Sequence, residues 1–437
     1  MKETYKQLIL DFHEAGAPVG TPREINFPKL PKNIRKAHIF IGMRRSGKTH
    51  LIYQTINNLL KQGVEQERML YINFEDDRLD GIQLSNLNEI LEAYFELYPE
   101  YLNDENVYLF FDEIHEVEGW EKFIRRLLDR EKMYICISGS SSKMLSKEIA
   151  SSLRGRTIVR EVFPFNFLEF IKHKRISLKK NLSSKQKTLI IHECEQFLHY
   201  GGFAETIGAN TSTHTELLQG YMDSVIYRDI VERHQVKNVT VLKRFLNQML
   251  QNPATLLSVH KIYQNLKSMG YAVSKDSLYQ FTNYFEDAYC FSFVSCFNLS
   301  QYKTEQKPKK IYPADQGLIT AYSLLNGMKD AQRLETTVFC TLRRKSSKIF
   351  YYQTQDKKEV DFVVLDEKDQ PSLFQVSLSL QNPSTRKREC DALNKAFKEL
   401  NLHQGTIITM EEEETIQLES GVINVSPLWK FLYRSSL

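Results

Sequence analysis

The stretch HIFIGMRRSGKTHLI, residues 38–52, decides the fold. It joins an apolar β-branched run to an amphipathic helical pattern through Gly42-Met43-Arg44-Arg45-Ser46-Gly47-Lys48-Thr49, a complete G-x-x-x-x-G-K-T. Gly42 and Gly47 let the loop wrap with its N–H groups facing inward, where they cradle phosphate oxygens. Lys48 is expected to reach the β- and γ-phosphates, and the Thr49 hydroxyl to ligate Mg²⁺. The following helix points its positive N-terminal end at the same anion. Gly42, Arg44, Arg45, Ser46, Gly47, Lys48, Thr49 and His50 are therefore read as nucleotide contacts, with ATP and Mg²⁺ as cofactors.

Further strand-like runs, MLYINF, VYLFFDE and MYICISGS, alternate with helical segments between residues 36 and 165. Apolar runs without strict alternation, separated by amphipathic helices, read as buried parallel strands of an α/β sheet. VYLFF ends in Asp112 and Glu113. Asp112 is expected to hold Mg²⁺ through water and Glu113 to polarise the attacking water, so hydrolysis is expected as well as binding. MLYINF ends in Asn73, placed to hydrogen-bond Glu113 and hold it back. MYICI ends in Ser138 and is followed by Gly139 and Ser140, whose hydroxyls are candidates for a γ-phosphate contact. Arg154 and Arg156, in SLRGR, are candidates for a charge-stabilising finger offered across a subunit boundary.

The chain has 437 residues, 42% hydrophobic and 26% charged, which implies several domains and argues against wholesale disorder. Its net charge of +4 permits an acidic partner without demanding one. The six cysteines show neither a C-x-x-C pair nor a Cys/His ligand spacing, so a zinc site or disulfide framework is not expected. No apolar stretch approaches the roughly 20 residues of a membrane span, and no cleavable leader pattern is visible; a cytoplasmic protein is expected.

Taken together, GMRRSGKTHLI, LYINFED, FFDEIHEVEGWEKFIRRLLD, ISGSSSKMLSKEIASSLRGR and FPFNFLEF resemble the AAA-type "archaeal ATPase" group and its bacterial relatives. Downstream, YGGFAE, YRDIVER, KKIYPADQGL, ETTVF, EVDFVV and FQVSLSLQNPSTRKRECDAL look like that group's C-terminal part. The resemblance implies an α/β multidomain protein: a P-loop AAA+-like parallel sheet, a helical and winged-helix middle, and a nuclease-like α/β C-terminal domain. The expected boundaries are a lead-in over 1–35, an ATPase core over 36–165, a helical lid over 166–235, a winged helix over 236–325 and the nuclease-like domain over 326–437. By position, Ser138 or Ser140 takes a sensor role and Arg154 or Arg156, with Arg156 first, the finger role.

In AVSKDSLYQFTNYFEDA, Val273, Leu278, Phe281 and Phe285 form an apolar stripe, leaving Lys275, Tyr279, Gln280 and Asn283 on a readable face. Lys303, Lys307, Lys309 and Lys310 follow in a basic loop suited to gripping phosphates; a protein-contact winged helix with a solvated hairpin is the alternative. In the last region Asp361 fits the acid of a nuclease pattern, Gln375 a second ligand and Glu335 a helix-borne carboxylate. Ser377 stands where that pattern has lysine, so cleavage is not expected. The expected function is an oligomeric, ATP-hydrolysing DNA-binding protein that remodels or translocates on duplex or branched DNA, with a hexameric ring as the leading assembly. A nucleotide-controlled signalling or defence switch acting on protein partners and an ATPase coupled to an active nuclease are the alternatives.

Overall fold

A computed structural model describes residues 1–25, 35–102, 104, 106–131, 133–139, 153, 155–177, 182–298, 307–323 and 329–435. The chain divides into two compact units, Met1–Phe163 and Pro164–Leu437.

In the first unit, α1 (Lys2–Ala15) precedes β1 (Ala37–Ile41), α2 (Lys48–Lys61), β2 (Met69–Asn73), α3 (Asn88–Leu97), β3 (Tyr108–Asp112), α4 (Trp120–Arg130), β4 (Tyr134–Ser138) and β5 (Thr157–Glu161). The strands form one parallel sheet in the order β2-β3-β4-β1-β5. β1 is buried along its whole length, because helices cover both faces of such a sheet. In α4, Trp120, Phe123, Ile124, Leu127 and Leu128 are buried, the i, i+3, i+4 spacing of a helix with one apolar face.

Two elements were not expected. The lead-in contains α1, whose Tyr5, Leu8 and Ile9 are buried while Lys2 and Lys6 pair with Glu96 of α3. β5 is an edge strand, TIVRE, partly exposed along its length, so it lacks the continuous apolar run of its neighbours.

The second unit opens with α5 (Phe167–His173), α6 (Ser184–Tyr200) and α7 (Thr211–Ser224), which continues as a π-helical segment over Val225–Val231. Next come α8 (Val239–Gln251), α9 (Val259–Ser268) and α10 (Lys275–Asp287), then the antiparallel pair β6 (Phe291–Val294) and β7 (Lys310–Pro313). Three helices and a two-stranded hairpin match the winged-helix outline. After α11 (Gly317–Tyr322) and α12 (Asp330–Arg343) follow β8 (Ile349–Gln353), β9 (Glu359–Leu365), β10 (Pro371–Val376), α13 (Pro383–Leu400), β11 (Gln404–Thr409), β12 (Glu414–Leu418), β13 (Gly421–Pro427) and α14 (Leu428–Ser435). These strands make a mixed sheet in the order β12-β13-β11-β10-β9-β8.

The stretches expected as lid, winged helix and C-terminal domain share one core. Phe167, Phe170 and Phe197 pack with Val294 and Tyr312 and with Phe339, Phe362 and Leu428. Helices α5 and α6 have too little surface for a core of their own, so they close over the C-terminal sheet.

Asp315 ties two glycine-rich segments of this unit together. Its carboxylate accepts the N–H of Gly202 at 2.9 Å and that of Gly317 at 2.8 Å. A Cβ on Gly202 would stand 2.2 Å from the Phe165 carbonyl oxygen, so no side chain fits there. Burial pushes the Asp315 carboxyl up to about 6, against the pull of its two N–H donors. An acid whose pKa is raised on folding stabilises the fold below the ordinary carboxylate range and loses that contribution as pH rises through the folded value. Asp315→Asn imitates the protonated state. Its melting temperature relative to wild type is therefore expected to rise between pH 4 and pH 7, measured by calorimetry; a constant difference would refute the shift.

Candidate nucleotide site

The P-loop begins where β1 ends. Gly42 sits at φ 141°, and a Cβ there would lie 2.3 Å from the Val162 carbonyl oxygen. Gly47, at φ 96°, caps α2 in the left-handed region, and α2 starts at Lys48. The Lys48 ammonium is buried. It donates to the Gly42 and Met43 carbonyls at 3.2 and 3.4 Å and lies 3.8 Å from Glu113 Oε1. Arg44 pairs with Glu75 at 3.3 Å, while Arg45 and His50 are exposed.

Arg23 supports the loop from the N-terminal side, a role that sequence reading did not find. Its buried guanidinium donates to the Ser46 carbonyl at 2.8 Å and to the Phe163 carbonyl at 2.6 Å. Gln54 of α2 accepts the Arg23 N–H at 2.6 Å.

Asp112, at the end of β3, is met by hydroxyls. Tyr71 donates to it at 3.1 Å, and Ser138 donates to its other oxygen while accepting the Glu113 N–H at 3.1 Å. The Thr49 side chain also hydrogen-bonds it. Burial and then the neighbouring Glu113 charge push the Asp112 carboxyl up to about 6. Glu113 sits at φ 51°, a left-handed value uncommon outside glycine. One of its carboxylate oxygens is 3.1 Å from His115 Nδ1, and His115 Nε2 is 3.1 Å from Glu116. Burial works against charge on His115, but the Glu113 and Glu116 carboxylates outweigh it and hold the imidazole above its ordinary value.

Asn73 does not hold Glu113. Its side-chain oxygen accepts the Glu75 N–H at 3.1 Å, because β2 turns away into the loop after Phe74. His115, three residues beyond Asp112, is the side chain that lies against Glu113 instead. Arg156 donates to Asp129 of α4 at 2.6 Å. Ser140 and Arg154 lie outside the described residues.

The residues fit a nucleoside triphosphate and a divalent ion. The Ser46 hydroxyl is buried in the loop with no hydrogen-bond partner among the described residues, and no Cβ fits at Gly42. Thr49 and Asp112 would hold Mg²⁺, which when bound draws charge from the phosphoryl group being transferred. Lys48 would meet the β- and γ-oxygens, and Glu113 would orient water.

Elsewhere Lys275, Tyr279, Gln280 and Asn283 are all exposed on α10. Lys309 is exposed and Lys307 donates to Gln353 at 3.2 Å, whereas Lys303 lies outside the described residues. Lys310 does not join them: it is buried, with its ammonium among carboxylates. Glu335, Asp361 and Gln375 do come together, and Lys310 lies with them. Ser377 instead donates its hydroxyl to the Ser379 carbonyl at 3.1 Å.

A P-loop on a five-stranded parallel sheet defines a P-loop ATPase of the AAA class, and a family model described as "AAA domain" matches residues 34–171. Two models described as domains of unknown function, DUF8612 and DUF4143, match 191–329 and 332–431. The chain is 35% identical to "Uncharacterized protein MJ1544" of Methanocaldococcus jannaschii, over 98% of this chain and 95% of that protein. An "Uncharacterized protein" of Haemophilus influenzae is 29% identical over 74% of this chain and 78% of its own. The chain belongs to the archaeal-type AAA ATPase family of these relatives. Among solved structures, the Aeropyrum pernix ORC1 protein in complex with DNA overlaps 74% of this chain and 92% of its own, at 12% identity and a TM-score of 0.31. AMPPCP-bound DnaA from Aquifex aeolicus overlaps 64% and 86%, at 14% identity and a TM-score of 0.25. No described helix is long and apolar enough to cross a membrane.

With His115 Nδ1 3.1 Å from a Glu113 carboxylate oxygen, His115→Ala is expected to free that oxygen and raise basal ATP turnover a few-fold with nucleotide affinity unchanged. Steady-state phosphate release and a fluorescent-nucleotide titration read the two quantities. A fall in turnover would make His115 an orienting residue instead.

Proposed function

We propose that the chain hydrolyses ATP at the Lys48, Asp112 and Glu113 site and uses the cycle to remodel or translocate on duplex or branched DNA. The observation that carries the DNA reading is α10. It is the last helix before a hairpin, and it exposes Lys275, Tyr279, Gln280 and Asn283 while burying Leu278, Phe281 and Phe285. A helix of that kind presents donors and an aromatic ring to a groove, with the hairpin beside it against the phosphates. The Lys275 ammonium lies 5.5 Å over the Tyr263 ring of α9, so basic and aromatic groups continue across the neighbouring helix. The active form is proposed to be a ring, with Arg156 leaving Asp129 to serve a neighbouring subunit's site.

One observation favours the second reading, a nucleotide-controlled switch acting on protein partners. With Lys310 turned inward, the hairpin offers fewer cations to a phosphate backbone.

ATP turnover with single-stranded, duplex and four-way-junction DNA separates the two, since a motor is stimulated and a switch is not. In the same assay Lys48→Ala is expected to lose nucleotide binding, and Glu113→Gln to bind ATP but turn over at least about 100-fold more slowly. Near wild-type hydrolysis by Glu113→Gln would remove this residue from water activation.

Neutralising Lys275, Lys303, Lys307 and Lys309 together is expected to weaken DNA binding across sequences. It should also flatten the slope of log affinity against log salt, by about 0.9 for each phosphate that no longer meets a lysine. Fluorescence anisotropy at several salt concentrations measures both; an unchanged isotherm would move the DNA surface off α10 and the hairpin.

A further inference from the structure

A nuclease-like fold implies a divalent cation held by acidic side chains, with a lysine near the attacking water. The residues in place here do not suit that ion. Lys310 opens β7, and its side chain is only 4% exposed. Its ammonium lies 2.9 Å from Glu335 Oε1, 2.7 Å from Glu359 Oε1 and 3.1 Å from Asp361 Oδ1. An ammonium has three N–H donors, and here three carboxylates meet it.

The other groups around the cage are engaged as well. Tyr312, two residues along β7, donates its hydroxyl to Glu335 at 2.7 Å, and the second Asp361 oxygen accepts the Val376 N–H at 2.9 Å. Gln375, in the position of a second metal ligand, has its amide oxygen on the Asp361 N–H at 3.1 Å. Its amide nitrogen is on Glu389 at 2.6 Å. A hard divalent ion would need the Glu335, Glu359 and Asp361 oxygens within about 2.0–2.6 Å of itself, in the space the ammonium fills.

We infer that this domain has exchanged a divalent cation for a tethered ammonium: Lys310 is the resident cation of the Glu335–Glu359–Asp361 cage, and the cage is a metal-independent clasp fastening the β6–β7 hairpin to the C-terminal sheet. The cage cannot serve as a nuclease centre while Lys310 occupies it, since one side chain fills the metal position and, among the described residues, no other cation in the cage is placed to activate water. Burial opposes the charge on Lys310, and the surrounding groups, Tyr312, Asp361, Glu335 and Glu359, outweigh it. Burial and the adjacent Asp361 charge push the Glu335 carboxyl up. The hairpin has a second attachment that does not depend on the cage, through backbone hydrogen bonds between Phe297 and Tyr351 at 2.6 Å and between Tyr351 and Ser295 at 3.1 Å. Loss of the Lys310 charge is therefore expected to loosen the hairpin without detaching it.

The test uses the full chain carrying Asp112→Asn, which removes the magnesium ligand of the nucleotide site, without nucleotide. Mn²⁺ is titrated and bound ion counted by electron paramagnetic resonance, and melting is followed with EDTA and with Mn²⁺. The parent is expected to bind no Mn²⁺ that depends on Asp361 and to melt identically in both. Adding Lys310→Met is expected to lower the melting temperature and create Mn²⁺ binding with a stabilisation of several degrees, abolished again by Asp361→Asn. Asp361-dependent Mn²⁺ binding in the parent would overturn the inference, as would a folded Lys310→Met protein with no response to Mn²⁺. Should Lys310→Met fail to fold, the parent titration decides alone. Nicking of supercoiled DNA in Mg²⁺ or Mn²⁺ by the wild-type chain, lost in Asp361→Asn, would also overturn it.

Discussion

An ionised group taken out of water must be met by opposite charge and by hydrogen bonds, or its burial costs several kcal/mol. This chain meets that constraint twice, with opposite outcomes. At the end of β3 the buried Asp112 is met by the neutral hydroxyls of Tyr71, Ser138 and Thr49, with another carboxylate beside it at Glu113. Burial and the Glu113 charge push the carboxyl up to about 6, against the pull of the hydroxyls and of the Lys48 charge. That arrangement of Thr49 and Asp112 oxygens suits a divalent cation. In the C-terminal sheet three carboxylates close around an ammonium supplied by the chain, and the cation is already there.

The rest of each unit serves to hold these groups. Parallel order places the C-terminal ends of β1, β3 and β4 along one edge, so the P-loop, the acid pair and Ser138 converge although about a hundred residues separate them in sequence. The close approach of Gly42 to the Val162 carbonyl ties the loop to the segment after β5, and Arg23 ties it to the N-terminal lead-in. In the second unit, Tyr312 and Lys310 alternate with Ile311 along β7 and point the same way, so one strand delivers both to Glu335.

The parts legible in the sequence are those whose chemistry is local. The P-loop is eight consecutive residues, and Asp112 and Glu113 end an apolar run. Arg23 escapes a reading of the sequence because two of its contacts on the loop side, the carbonyls of Ser46 and Phe163, are backbone atoms that leave no trace in side-chain identity. His115 is open to view in DEIHE, but which neighbour lies against Glu113 depends on how the tight turn after β3 folds back. Lys310 reads with the exposed lysines because four lysines in eight residues suggest a solvated loop. The strand begins at the last of them, and every residue of that strand is buried. Asp315 between two glycine segments is visible only as unexplained motifs, YGGFAE and YPADQG, whose meaning is a shared carboxylate.

The distances at the two sites also separate groups that must exchange partners from groups that need not. Lys48 is held by loop carbonyls at 3.2 and 3.4 Å and by Glu113 at 3.8 Å, long contacts that a phosphate oxygen can replace at little cost. In the proposed cycle it changes partners with each nucleotide. Lys310 makes three charge-assisted contacts between 2.7 and 3.1 Å, and displacing it would leave three buried carboxylates facing one another. Contacts of that length at Lys48 suit the exchange of partners that the proposed cycle requires. The second site is complete without a ligand, and completeness is what a permanent fastening between hairpin and sheet requires.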